Sequence, residues 1–251
     1  MTQTLNQLQK LKGVQRISML TAYNCPVARS LEQAGIPIIL VGDSVGMVEM
    51  GFSSTRDVTM EHMIYHISAV KRGAPNTHII GDLPHLSYED PAQALENAQK
   101  LIQAGADSVK LEGRYLDAVN LITQNDIEVV AHTGLTPQKA QSFKKAGKTD
   151  EEAEQILNDS LALQNAGAGM IVLEHIPAEL GAKITNLLSI PTIGIGAGSD
   201  TDGQVLVIND VLGIGDYWPP FSKQYAHVSQ TINQVVTEFK QEVESKSFPE
   251  K

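Results

Sequence analysis

The sequence is short of cysteine, of positive charge and of any long apolar run, and each shortage removes a class of protein. Cys25 is the single cysteine, which rules out an intramolecular disulfide and any metal cage built from several thiolates. Lys and Arg number 19 against 29 Asp and Glu, a formal net charge of -10. Such a surface repels polyphosphate, so neither nucleic acid nor an acidic membrane is expected as a partner. A small anionic substrate is not excluded, because a local lysine or metal ion can hold one. No window approaches a membrane-spanning length. The polar, basic stretch up to Gly13 has no apolar core segment, so no signal peptide is expected. No repeat or low-complexity segment is present. These features describe a cytosolic-type protein.

What is present is a chain of 251 residues with 42% hydrophobic and 19% charged residues, ordinary values for a globular protein. The pattern turns on Leu40-Val-Gly-Asp43-Ser44-Val-Gly-Met47. A buried apolar strand, Ile36 to Val41, stops at a glycine and then presents an aspartate and a serine. Continuous Ile/Leu/Val runs mark parallel strands covered on both faces, and the ends of such strands form the ligand-binding rim of α/β folds. The same pattern recurs with strands expected at Arg16–Tyr23, His78–Asp82, Ser108–Glu112, Ile127–His132, Gly169–Glu174 and Pro191–Gly196.

Helices fall between the strands. Leu5, Leu8 and Leu11 predict a short amphipathic helix before the first strand, the one candidate surface for contact between subunits. Pro26 sits early in a helix that ends near Gly35. Thr59 caps a helix running to about Arg72. Asp90-Pro91 and Thr136-Pro137 both read as an N-cap followed by proline at the first helical position. Tyr115 to Thr123 is helical, and Thr149 with Glu152 forms a capping box. Ala178 to Leu188 is a helix. Gln204 to Ile208 resembles a strand, but Ser199–Gly203 is too short for a parallel crossover. Residues 202–212 are therefore expected as a helix capped by Thr201 and stopped by Gly213, with a short eighth strand near Ile214. A helix from Gln224 to about Glu244 closes the chain. Alternating strands and helices without a linker predict one α/β domain over residues 1–251, and length and strand count favour a (β/α)₈ TIM barrel over a doubly wound sheet.

In a barrel, Asp43-Ser44, Asp82, Lys110 with Glu112, His132, Glu174 and the glycines of Gly194-Ile-Gly-Ala-Gly198 all meet at one end. Lys110 and Glu112 are two apart on a strand and point the same way; a buried salt bridge explains that pair equally well. Asp43, Asp82 and Glu112 sit on consecutive strands, and carboxylates that close must protonate, spread or share a cation. An oxygen-only donor set suits Mg²⁺ or Mn²⁺; Mg²⁺ keeps several waters and takes one or two protein carboxylates plus substrate oxygens. Lys110 then offsets a substrate carboxylate. His62 and His66 are four apart on a helix but lack the glutamate of a metalloprotease motif, and read as surface or packing residues. The Gly194–Gly198 run lacks dinucleotide-binding spacing and reads as a tight turn beneath a ligand. Cys25 has no partner for catalysis. Ser44, without a nucleophile-elbow context, is assigned to ligand hydrogen bonding.

Met19-Leu-Thr-Ala-Tyr23, Leu40–Met47, Asp82-Leu-Pro84, Val109-Lys-Leu-Glu-Gly113, Ala131-His-Thr-Gly-Leu-Thr-Pro-Gln138, Pro191–Gly198 and Asp202-Gly-Gln-Val-Leu-Val207 follow one another in order. Together they resemble the family of 3-methyl-2-oxobutanoate (ketopantoate) hydroxymethyltransferases, from near the N-terminus to Phe248-Pro249. The resemblance implies a barrel of the phosphoenolpyruvate mutase/isocitrate lyase group. It implies transfer of a hydroxymethyl group from 5,10-methylenetetrahydrofolate to 3-methyl-2-oxobutanoate, giving 2-dehydropantoate for pantothenate synthesis. It places Asp43, Asp82 and Glu112 at a magnesium site, Asp43, Ser44, Asp82 and Lys110 around the ketoacid, and Glu179 as proton acceptor. It also implies a homodecamer of paired pentamer rings.

The chemistry is coherent: a 2-oxo acid chelates Mg²⁺, the metal stabilises the developing enolate, and a carboxylate removes the C3 proton. Without the resemblance, Glu179 is an ordinary first-turn helix carboxylate. Asn24, His85, Arg114 and Ser142–Lys148 depart from the family's wording and bear on folate affinity, loop closure and rate. Two other readings are a metal-dependent 2-oxo-acid C–C lyase or mutase on the same barrel, and a non-catalytic ligand-binding barrel.

Overall fold

A computed structural model describes residues 2–140 and 142–249. Eight parallel strands close into a barrel in sequence order. They are β1 (Ile17–Thr21), β2 (Ile38–Val41), β3 (His78–Asp82), β4 (Ser108–Glu112), β5 (Glu128–Gly134), β6 (Met170–Glu174), β7 (Thr192–Ile195) and β8 (Gly203–Leu206). The helices are α1 (Leu5–Gln9), α2 (Cys25–Gln33), α3 (Val45–Val48), α4 (Met60–Gly73), α5 (Pro91–Ala104), α6 (Leu116–Gln124), α7 (Asp150–Asn165), α8 (Ala178–Leu187), α9 (Ile208–Leu212) and α10 (Val228–Ser245). Several starts follow the capping logic: Asp90 accepts from the Gln93 N–H at 2.9 Å ahead of Pro91, and Thr149 accepts from the Glu152 N–H at 3.2 Å. Asn24 caps α2 by accepting from Val27, so asparagine performs the capping that an aspartate would. Among the described residues no helix is long and apolar enough to cross a membrane.

Alternation along the strands splits the barrel interior into layers. Ile17, Met19, Ile38, Leu40, Ile80, Val130, Met170, Val172, Ile193 and Val205 fill the lower part together with Leu5 and Leu8. The N-terminal helix is therefore a plug for the base of the barrel. Hydrogen bonds pin the plug, among them the Leu5 N–H to Glu128 Oε2 at 2.8 Å, Gln9 Nε2 to the Gly169 carbonyl at 2.9 Å, and Lys12 Nζ to Asp202 Oδ2 at 2.7 Å. This corrects the expectation that its leucines offer a subunit contact, since burying them in the core removes more apolar area from water than a surface patch would.

Two expected helices are also corrected. The helix expected over residues 202–212 is split into β8 and the short α9, with Gly213 ending it in a left-handed conformation as expected. The crossover objection fails because β7 and β8 are only four residues each and pair Ile193 with Gly203. The chain has to step back only about two residues' length, which the seven residues 196–202 span without a helix. Thr201, expected as a helix cap, instead donates to the Gly203 carbonyl at 2.8 Å, and Ile214 is not in a strand. After Thr136-Pro137 the chain makes a single turn, with the Lys139 and Ala140 N–H groups on the Thr136 carbonyl, and no helix follows.

The chain divides into two compact units, one ending at Val205 and one beginning at Leu206. In the second, the Tyr225 N–H bonds the Val211 carbonyl and the Ser229 N–H bonds the Gly213 carbonyl. None of the residues of α10 is buried.

Candidate active site

The strand register carries the site. Asp82 is paired with Lys110, and Glu112 with His132, on β3, β4 and β5. Lys110 and Glu112 share a face of β4, so the polar residues crown the apolar layers at the C-terminal ends of the strands. Lys110 Nζ lies 2.8 Å from Asp82 Oδ1 and 3.9 Å from Glu112 Oε1. Asp43, just past β2, donates its N–H to Asp82 Oδ2 at 3.1 Å. Gly42 makes that approach possible, since a Cβ there would stand 2.9 Å from Ser44 Oγ and 3.4 Å from Asp82 Oδ2. Ser44 Oγ is hydrogen-bonded to the buried Tyr23 phenol at 2.8 Å. The structure thus gathers Asp43, Ser44, Asp82, Lys110 and Glu112 at one place, as the strand-end pattern requires.

His132 and Glu174 extend the cluster. The imidazole stands between two carboxylates, Nδ1 3.4 Å from Glu112 Oε1 and Nε2 3.3 Å from Glu174 Oε2, in ion-pair reach but not aligned for hydrogen bonds. Gln138, which in the sequence only ends the motif Ala131–Gln138, is wholly enclosed and touches several groups of the site. Its Nε2 donates to Asp43 Oδ2 at 2.7 Å and to the Leu83 carbonyl at 3.1 Å, its backbone N–H donates to Glu112 Oε2 at 3.1 Å, and its Oε1 accepts from Tyr88. The helix expectation at Thr136-Pro137 hid this role.

Burial and crowding shape the charges. Asp43 is pushed well above the usual carboxylate range by burial and by Glu112 and Asp82, against the pull of Lys110 and Gln138. Asp82 is also raised by burial, which Lys110 only partly offsets. Burial works against the ionised Glu112, but His132 and Lys110 outweigh it and hold its pKa low. Burial likewise disfavours charge on His132, yet Glu112 and Glu174 lift its pKa to about 9. Lys110 stays charged because Asp82, Glu112 and Asp43 together overcome its desolvation. Four carboxylates, Asp43, Asp82, Glu112 and Glu174, thus face two cationic side chains, Lys110 and His132.

Among the described residues no three His, Cys, Asp or Glu side chains stand as a ready-made metal cage. The donor chemistry nonetheless fits a hard cation: the oxygens are carboxylates, two of them are raised by burial and by their carboxylate neighbours, and Mg²⁺ uses few protein ligands.

Glu179 stands outside this network. It is exposed on the first turn of α8, which follows β6 on the same end of the barrel. The turn at Gly196-Ala-Gly198 packs tightly against that helix. A Cβ on Gly198 would meet Ala178 Cβ at 2.6 Å, and one on Gly181 would meet the Ala197 carbonyl at 2.3 Å. The tight turn expected there holds the start of α8 in place. His66 is a packing residue, its Nδ1 2.6 Å from the Tyr23 carbonyl, and Arg114 pairs with Asp159 at 3.1 Å.

A closed parallel barrel with acids, a lysine and a histidine at the C-terminal ends of its strands defines an α/β-barrel enzyme. Its relatives narrow the class. The sequence pattern of ketopantoate hydroxymethyltransferase matches residues 2–251. The 3-methyl-2-oxobutanoate hydroxymethyltransferase of Saccharophagus degradans is 46% identical over 252 residues, covering 98% of this chain and 93% of that one. That of Bacillus subtilis is 46% identical over 254 residues, covering 98% and 92%. Among solved structures, phosphonopyruvate hydrolase in complex with oxalate and Mg²⁺ superposes with a TM-score of 0.67 at 13% identity, covering 97% and 88%. A 2,3-dimethylmalate lyase of the PEP mutase/isocitrate lyase superfamily gives 0.66 at 15%, covering 100% and 90%. The chain belongs to the ketopantoate hydroxymethyltransferase family, and it is an enzyme of the transferase class whose barrel is similar in fold to those structures.

Proposed function

We propose that the chain transfers a hydroxymethyl group from 5,10-methylenetetrahydrofolate to 3-methyl-2-oxobutanoate, giving 2-dehydropantoate and tetrahydrofolate. The observation that carries this reading is the enclosed set Asp43, Asp82, Lys110 and Glu112 on consecutive strand ends of a family member. Burial and mutual repulsion push Asp43 and Asp82 toward the neutral acid, and one divalent ion relieves that crowding. Asp43, Asp82 and Glu112 hold that ion, directly or through water. Mg²⁺, or Mn²⁺ in its place, supplies Lewis-acid polarisation of a 2-oxo acid when bound, in keeping with the oxalate and Mg²⁺ held by the related hydrolase.

The protein's own groups do the rest. The Lys110 ammonium and the Ser44 hydroxyl bind and orient the ketoacid, the lysine compensating its carboxylate. Glu179 accepts the proton from C3. The C3 carbon then bonds to the one-carbon unit, water supplies the hydroxyl oxygen, and the folate nitrogens leave with the protons. The homodecamer implied by the resemblance belongs to the same proposal.

Steady-state assay of the purified chain with both substrates and Mg²⁺, with product read by mass, tests the reading. Dehydropantoate formation that needs both folate and cation supports it. Cleavage of a larger acid without folate favours the lyase, and ketoacid binding without turnover favours a binding barrel.

A further inference from the structure

Asp43 and Glu112 come from strands β2 and β4, with β3 between them, and no hydrogen bond joins the two directly among the described residues. Gln138, from the connection after β5, touches both. We propose that Gln138 is a positioning residue that holds Asp43 and Glu112 at one fixed separation, with the Leu83 carbonyl setting which end of its amide faces Asp43 and Tyr88 holding the other end in place. This rests on the reading that those carboxylates serve a divalent cation.

The amide has one possible orientation. The Leu83 carbonyl, 3.1 Å away, can only accept a hydrogen bond, so the group facing it and Asp43 is the amide nitrogen. The other end is then the oxygen, and the Tyr88 phenol donates to it. Tyr88 is itself buried and held by an edge-on contact with Tyr115, ring centroids 4.9 Å apart. The main chain of Gln138 is fixed independently. Arg56, from the connection between β2 and α4, donates through Nε to the Gln138 carbonyl at 3.0 Å and through a terminal nitrogen to the Ala140 carbonyl at 2.6 Å. A neutral double donor, anchored at side chain and backbone, can bridge two carboxylates without adding charge. The partners that orient metal ligands govern affinity nearly as strongly as the ligands themselves.

The test is Mn²⁺ binding, read by the electron paramagnetic resonance of free Mn²⁺, on the full chain without substrate. Gln138→Met keeps the side chain's length and the backbone donor to Glu112 but removes both amide donors. It is expected to weaken Mn²⁺ binding by about 10- to 100-fold. Tyr88→Phe is expected to weaken it in the same direction, and the double variant to bind no more weakly than Gln138→Met alone, because Tyr88 acts through the amide. Should Gln138→Met not fold, Tyr88→Phe carries the test by itself. A Mn²⁺ affinity within about twofold of wild type, whatever the thermal midpoint, assigns Gln138 a structural role and overturns the proposal. Wild-type protein that binds no Mn²⁺ overturns the cation reading and this inference with it.

Discussion

Asp82 and Lys110 lie side by side in register on neighbouring strands, with 2.8 Å between Oδ1 and Nζ and almost no solvent at either side chain. Charges so enclosed depend on each other, because neither has water to fall back on. Lys110→Met leaves Asp82, among the described residues, with the Asp43 N–H as its remaining hydrogen-bond donor. Breaking such a pair costs about 3 to 5 kcal/mol. Urea unfolding in a chelator is expected to show a loss of that order, part of which Mg²⁺ restores by taking over the lysine's charge. An unfolding midpoint equal to wild type in the chelator would contradict the pair's role.

Glu179 has a different dependence, since it is exposed and outside the carboxylate network. Removing a general base typically lowers turnover by about 10² to 10⁴. Glu179→Gln is therefore expected to reduce kcat by that order while leaving Mn²⁺ affinity and the ketoacid KM close to wild type. Asp82→Ala and Glu112→Ala are expected to weaken both of those instead. An undiminished kcat in Glu179→Gln removes it from the mechanism.

That contrast also marks what the sequence could convey. Asp82, Lys110, Glu112 and His132 were legible because each interrupts an apolar run at a strand end, and a closed barrel leaves strand ends one place to converge. Gln138 was not, because its partners come from two other connections and from strand β4, and nothing local distinguishes it from a turn residue. The strand β8 was missed for a related reason: whether seven residues suffice to reach it depends on the lengths and register of β7 and β8, which emerge only on pairing. The leucines of α1 were correctly read as an apolar stripe, but periodicity does not say what the stripe packs against.

A second apolar stripe lies on α10. Ile232, Val235, Val236, Phe239 and Val243 recur at helical spacing and are each about half exposed, an arrangement that soluble chains cover by association. If the proposed homo-oligomer uses this face, Val236→Glu places a charge in its centre. Glutamate favours helix at least as well as valine, so the helix itself is retained. Light scattering after size exclusion is expected to show a smaller assembly with an unchanged circular dichroism spectrum. An unchanged mass excludes this face from the contact.

Asp210, in α9, carries a pH-dependent contribution to stability. Burial disfavours its ionised form and lifts its pKa from the ordinary carboxylate value of 3.8 to about 6. Between those values the folded chain holds more of this proton than the unfolded one, so the group's contribution to stability falls as pH rises through that window. Its favourable effect is complete below about pH 4 and gone above about pH 6. Asp210→Asn has no such titration, since the amide stays neutral throughout. Urea unfolding of both proteins from pH 4 to 7.5 is expected to show the variant gaining on wild type across the window, with a constant difference above it. A difference that does not change with pH would mean that Asp210 titrates alike in the folded and unfolded chains.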